Sequence, residues 1–88
     1  MADIKLHKRV ERYVKRMPED RRKLLVEKLK KLGESPEAYP GVVPMSGKQW
    51  KGYSRFRMGD LRVIFVYDKE ADIVYVDYIG PRGDIYKD

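Results

Sequence analysis

Arginines stand on both sides of a glycine in the segment Arg55-Phe56-Arg57-Met58-Gly59-Asp60-Leu61-Arg62, and their spacing has a geometric consequence. Gly59-Asp60 suits a two-residue hairpin turn with glycine in the first central position, flanked by residues that alternate with strand period. Counting outwards from that turn sets Met58 opposite Leu61, Arg57 opposite Arg62, Arg55 opposite Ile64 and Tyr53 opposite Val66. Because side chains alternate with period two, Tyr53, Arg55, Arg57 and Arg62 share one face, while Ser54, Phe56, Val63 and Phe65 share the other. The second face is the expected core side. Like charges directly opposite each other on a strand pair repel. Two arrangements would relieve the repulsion: solvent screening helped by an acid such as Asp68 or Asp77, or an anion held in common. A phosphate suits the second arrangement, since guanidinium groups offer it forked, permanently charged hydrogen-bond donors. Tyr53 on the same face and Trp50 just before the strand add rings on which bases can stack, although an aromatic near a sheet edge also serves as packing.

The whole composition is compatible with such a ligand. Among 88 residues, 20 Lys plus Arg against 14 Asp plus Glu give a net charge of +6, which favours a polyanionic partner. There is no cysteine, so disulfides, a thiolate nucleophile and Cys-based zinc or iron–sulfur sites are excluded. No stretch approaches the roughly 20 apolar residues that span a bilayer, and the opening residues lack the apolar run of a signal peptide, so the expected location is cytoplasmic, away from membranes. The length leaves room for one domain over residues 1–88.

The elements that must position the arginines can be read from periodicity. Ala2 to Leu6 alternates as a short first strand. Val10, Tyr13, Val14 and Met17 follow the spacing of one helical face. A second helix begins near Pro18, carries Glu19 and Asp20 in its first turn, presents Leu25, Leu29 and Leu32 with support from Leu24, and ends at Gly33. The two helices are expected to form an antiparallel hairpin packed on a sheet. The run from Gly33 to Gly47, rich in proline and glycine, reads as a long irregular connection. Tyr53 to Met58, Leu61 to Tyr67 and Ile73 to Ile79 read as consecutive antiparallel strands. The expected class is α+β: an N-terminal strand, a helical hairpin, then a three-stranded antiparallel meander.

Two segments are specific enough to resemble a known family. Arg55-Phe56-Arg57-Met58-Gly59-Asp60-Leu61-Arg62-Val63-Ile64-Phe65 looks like the RelE pattern, with basic residues before a Gly-centred turn and an arginine on the next strand. Gly80-Pro81-Arg82-Gly83-Asp84-Ile85-Tyr86-Lys87 resembles the C-terminal signature of the RelE/ParE superfamily, an arginine after the last strand with a tyrosine shortly beyond. The order of elements and the length agree, so the resemblance spans essentially the whole chain. It implies a toxin of a type II toxin–antitoxin pair that enters the ribosomal A site, cleaves messenger RNA without metal or cofactor, and is held inactive by a RelB-like antitoxin.

Carried over residue by residue, Arg55 and Arg57 match the basic pair before the turn, Arg62 the arginine after it, Arg82 the post-strand arginine and Tyr86 the terminal tyrosine. Cleavage by transesterification turns the 2′-hydroxyl on the adjacent phosphorus and needs a proton acceptor, a proton donor and charge stabilisation. Arg62 and Arg82 are then stabilisers of the phosphorane, while Tyr86 either stacks on a base or, with its pKa lowered by guanidinium groups, accepts the proton. Lys48 and Lys51, close to the start of the strand, are either a titratable RNA contact or solvated loop residues. His7, the sole histidine, is expected at the surface or capping a helix. Related toxins use lysine where this chain has Arg55 and Arg57, and the step from Arg82 to Tyr86 is shorter than in some of them. Rival readings are a ParE-like inhibitor of DNA gyrase and an inactive RNA-binding relative.

Overall fold

A computed structural model of the protein describes residues 1–81. In chain order the elements are β1 (Asp3–Leu6), α1 (Lys8–Arg16), α2 (Glu19–Glu34), β2 (Val43–Pro44), a single 3₁₀ turn at Lys48–Trp50, β3 (Tyr53–Met58), β4 (Leu61–Asp68) and β5 (Ile73–Gly80). The sheet order is β1-β5-β4-β3-β2, with β1 parallel to β5 and every other pair antiparallel.

His7 closes the first strand and caps the first helix, its Nδ1 accepting from the Arg9 backbone N–H at 3.1 Å. Val10 is buried, with Tyr13 and Val14 packed beside it. The link between the helices is held by Arg22, whose Nε donates to the Val14 carbonyl oxygen at 3.1 Å and whose Nη2 donates to that of Met17 at 2.8 Å. The Val14 carbonyl also accepts from the Met17 N–H at 3.1 Å, so Arg22 reinforces the C-terminal cap of α1. Leu25, Leu29 and Leu32 of α2 join Phe56, Met58, Leu61, Val63, Phe65, Val74, Val76 and Ile79 in the core, so both helices cover one face of the sheet and, among the described residues, no helix covers the other, the open face. Arg21 further ties α2 to the β3–β4 turn, with Nη2 2.9 Å from Asp60 Oδ1.

Several expectations need correction. Gly33 does not end the second helix, which continues to Glu34. It lies where β1 crosses: its carbonyl accepts from the Ala2 N–H at 2.8 Å, and a Cβ there would meet the Ala2 carbonyl oxygen at 2.9 Å. Close approach of two backbones, not termination, explains the missing side chain. Leu24 is 46% exposed and lies outside the apolar stripe. The connection after α2 is not wholly irregular, because Val43 and Pro44 pair with Arg55 and Ser54 as an added edge strand. Proline is compatible with such an edge, and two residues are too few to leave a period in the sequence. The same connection brings Tyr39 edge-on to Phe56, with centroids 5.4 Å apart, and packs Val42 against the core.

Finally, β5 does not alternate uniformly. Ile64 pairs with Tyr78 but Phe65 with Val76, so Asp77 is an extra residue in a bulge. The bulge lets Val74, Val76 and Ile79 all reach the core. Arg9 of α1 donates through Nε to the Asp77 carbonyl oxygen at 2.8 Å, satisfying a group at the disrupted ladder.

Candidate nucleic-acid interface

The turn at Gly59-Asp60 fixes the register of β3 and β4, with Gly59 at φ 61°, in the left-handed region that glycine accommodates most readily. Met58 pairs with Leu61, Arg57 with Arg62, Arg55 with Ile64 and Tyr53 with Val66, as counting from the turn predicts. Phe56, Val63 and Phe65 point into the core, which leaves Arg55, Arg57 and Arg62 on the open face. Arg57 is exposed, and Arg55 and Arg62 are half-buried. Ile64 has no exposed surface yet stands outside the core cluster, flanked in register by Arg55 and Tyr78. The open face therefore has an apolar floor between its cations, where local polarity is lower and charge–charge interactions are stronger than in bulk water.

Neither acid that could have offset the arginines pairs with them. Asp68 Oδ1 accepts from the backbone N–H groups of Glu70 and Ala71 at 3.1 and 3.2 Å, closing the β4–β5 turn. Asp77 Oδ2 accepts from the Tyr53 hydroxyl at 2.9 Å. Among the described residues, no carboxylate forms an ion pair with Arg55, Arg57 or Arg62. The acid on the hairpin itself, Asp60, is committed to Arg21, whose hydrogen bond holds its carboxyl below the usual carboxylate range.

Tyr53 is held as a donor. Its hydrogen bond to Asp77, reinforced by desolvation, raises its pKa above the usual phenol value, so it stays neutral at physiological pH. Its ring meets Trp50 edge-on, with centroids 5.4 Å apart and planes at 85°. The tryptophan thus packs against the tyrosine at one end of the face. Beside this pair a cleft of about 220 Å³ is bordered by Met45, Gln49, Trp50 and Arg55. Lys48 opens the 3₁₀ turn and Lys51 follows it, both exposed and on the connection, apart from the strand-borne arginines. Arg82 and Tyr86 lie outside the described residues; the strand leading to them ends at Gly80, opposite Arg62.

Sequence reading passed over Met45 and Gln49, which gain a place at the site only through the edge strand and the 3₁₀ turn. It also passed over Tyr78. Uniform alternation would set Tyr78 with the core residues Val74 and Val76, but the bulge puts it beside Ile64 on the open face. A polar aromatic following a carboxylate in a Val/Ile strand is too common a pattern to have revealed it.

The fold has counterparts. The family model described as "ParE toxin of type II toxin-antitoxin system, parDE" matches residues 4–86. No curated protein matches the chain. Among solved structures the chain is similar to the RelE of Pyrococcus horikoshii OT3 in its complex with RelB, at TM-score 0.77 and 23% identity over 93% of this chain and 96% of that one. It is similar to the RelBE2 toxin–antitoxin complex of Mycobacterium tuberculosis at TM-score 0.78 and 18% identity, covering 92% and 98%. The isolated RelE toxin of E. coli gives TM-score 0.74 and 16% identity, covering 99% and 93%. The chain belongs to the RelE/ParE superfamily of type II toxin–antitoxin toxins, and its fold is that of the RelE structures.

Proposed function

We propose that the protein, acting as one domain over residues 1–88, is a ribosome-dependent endoribonuclease that cuts messenger RNA in the A site and so blocks translation in the cytoplasm. The observation that carries this reading is the set of guanidinium groups on one sheet face with no carboxylate paired to them among the described residues. Such a set is repulsive by itself and becomes favourable when a phosphodiester occupies the space between. In this reading Arg55 and Arg57 hold the RNA backbone, and Lys48 and Lys51 add long-range attraction. Trp50 and Tyr53 supply rings for bases, and the cleft beside Arg55 receives part of a nucleotide.

The 2′-hydroxyl gives up its proton as its oxygen attacks phosphorus, the bond to the 5′-oxygen breaks as that oxygen takes a proton from water, and the products carry a 2′,3′-cyclic phosphate and a 5′-hydroxyl. Arg62 and Arg82 stabilise the charge that builds on the phosphorane, a contribution of about a hundredfold to a thousandfold per donor by analogy with oxyanion holes. The acceptor role is assigned to Tyr86 as the family resemblance implies, while arginine does not exchange protons in proteins and Tyr53 is held neutral by Asp77. The reaction needs no metal or small-molecule cofactor. A RelB-like antitoxin is the proposed inhibitor, supported by the relatives solved as RelE–RelB complexes.

A second reading, inhibition of DNA gyrase, is favoured by the family model's description as a ParE toxin. Programmed ribosomes incubated with the purified protein, followed by mapping of messenger ends, separate the two. The expected result is A-site cuts that persist in EDTA and are lost in Arg62→Ala and Arg82→Ala, with ribosome binding weakened far less. Intact messenger together with blocked DNA supercoiling by gyrase would establish the second reading instead.

A further inference from the structure

Tyr75 is 37% exposed, the only exposed aromatic among the described residues. Its neighbours Val74 and Val76 lie in the core, so alternation along β5 turns Tyr75 to the open face. Register places it in a row that crosses four strands: Lys5 of β1 pairs with Tyr75, Tyr75 with Val66 of β4, and Val66 with Tyr53 of β3. The scaffold does not ask for a tyrosine here. Among the described residues its hydroxyl makes no hydrogen bond and its ring meets no other ring. Valine or threonine would serve the strand as well. Tyr53, in the same row, differs on each count: it is half-buried, gives its hydroxyl to Asp77 and is pinned edge-on by Trp50.

The row has a defined place relative to the arginines. Four residues of β4 separate Arg62 from Val66, a distance of about 14 Å. A strand of RNA stacked at about 3.4 Å per nucleotide covers that in about four nucleotides, and an extended one in fewer. Asp77, the carboxylate that lies between, already accepts the Tyr53 hydroxyl. Lys5, beside Tyr75, is exposed, and among the described residues no carboxylate pairs with it. One row further on, Ile73 is flanked in register by Asp3 and Asp68, whose charges repel a polyanion. The tyrosine row is therefore the last position on this face, moving away from the arginines, where RNA meets a ring and a cation before the charge reverses.

Resting on the reading of this face as an RNA-cleaving site, we propose that Tyr75 is a base-stacking residue for single-stranded RNA. A nucleotide a few positions from the phosphate held by Arg62 lays its base on the phenol ring, with Lys5 next to its backbone. Because every base has a π-face, the contact lengthens the footprint without adding sequence preference.

The test uses the full chain and single-stranded RNA made uncleavable by 2′-deoxy substitution, in a ladder of lengths from about two to about ten nucleotides. Tyr75→Ala is expected to bind the longest oligonucleotides about fivefold or more weakly than wild type, the size of one lost base–aromatic stack, and the shortest equally well. Tyr75→Phe and Tyr75→Trp should keep wild-type affinity at every length, since the ring and not the hydroxyl makes the contact. The log–log salt slope of Tyr75→Ala should match wild type, because an uncharged ring displaces no counterion. Melting temperatures should stay within a few degrees, as expected for a surface substitution.

Unchanged affinity of Tyr75→Ala for the long oligonucleotides overturns the proposal, and so does an equal loss at every length or a Tyr75→Phe variant as weak as the alanine. A Tyr75→Ala protein that keeps its RNA affinity but loses affinity for a RelB-like antitoxin would assign the side chain to the protein partner, and overturns it too. The two readings fail separately. Messenger cut on programmed ribosomes by a protein whose RNA affinity ignores Tyr75 removes this contact alone, whereas intact messenger with a length-dependent loss in Tyr75→Ala removes the nuclease reading and leaves the stacking residue standing.

Discussion

Arg57 and Arg62 face each other directly across β3 and β4, a position where opposite charges stabilise and like charges do not. One of them, Arg57, is exposed, and neither has a carboxylate partner among the described residues, so no acid among those residues softens the repulsion. Replacing Arg57 by glutamine keeps a hydrogen-bonding side chain of similar reach and removes one charge. Free Arg57→Gln protein should therefore be more stable than wild type, by a few tenths up to about 1 kcal/mol in urea denaturation, while binding RNA more weakly. Gain of stability with loss of binding is the signature of a residue kept for its ligand. If Arg57→Gln lost stability, the arginine would have to be acting as part of the scaffold, and the argument from unrelieved repulsion would fall with it.

At the scale of elements, what could be read in advance depended on whether a local rule governed it. The β3–β4 register followed from one glycine in one turn, and with it the sharing of a face by Tyr53, Arg55, Arg57 and Arg62. His7 as a cap, the two helices and the core leucines of α2 followed from spacing and end chemistry. The edge strand Val43–Pro44, the parallel pairing of β1 with β5 and the bulge at Asp77 did not, because each is set by contact between parts of the chain that are distant in sequence. The bulge mattered most for the site, since it moved Tyr78 to the open face. Gly33 illustrates the same limit: glycine near a helix end reads as a terminator, yet its role here is to admit β1. Gly33→Ala makes the distinction measurable. Propensity alone predicts stabilisation by up to about 1 kcal/mol, as alanine replaces glycine inside a helix. Contact with the Ala2 carbonyl oxygen at 2.9 Å and with the Ile4 side chain at 3.3 Å predicts the reverse, a loss of about 1 to 3 kcal/mol as β1 is pushed outwards. Thermal or urea unfolding decides the sign, and a stabilised alanine variant would show that β1 moves away at no cost.

For the molecule as a whole, the distribution of charge matters more than its sum. The net charge of +6 is spread over both helices as well as the sheet, and much of the helical charge simply faces solvent. Only cations that come into contact with phosphates release counterions, each adding about 0.7 to the slope of log affinity against log salt for a single strand. If RNA lies across the open face, Arg55, Arg57 and Arg62 together set a slope of magnitude about 2, and contacts from Lys48, Lys51 or Arg82 make it steeper. Charge reversal on the outer side of the second helix, Lys23→Glu with Lys30→Glu, changes the net charge more than Arg62→Ala does. It should nevertheless leave the slope nearly unchanged, because those side chains project from the helical layer on the opposite side of the sheet. Titrations of a single-stranded oligonucleotide between about 50 and 300 mM salt would measure both slopes. If the helical pair flattened the response as much as the strand arginines do, the RNA would have to be held by the general positive field of the protein, and the sheet face would lose its claim to be the interface.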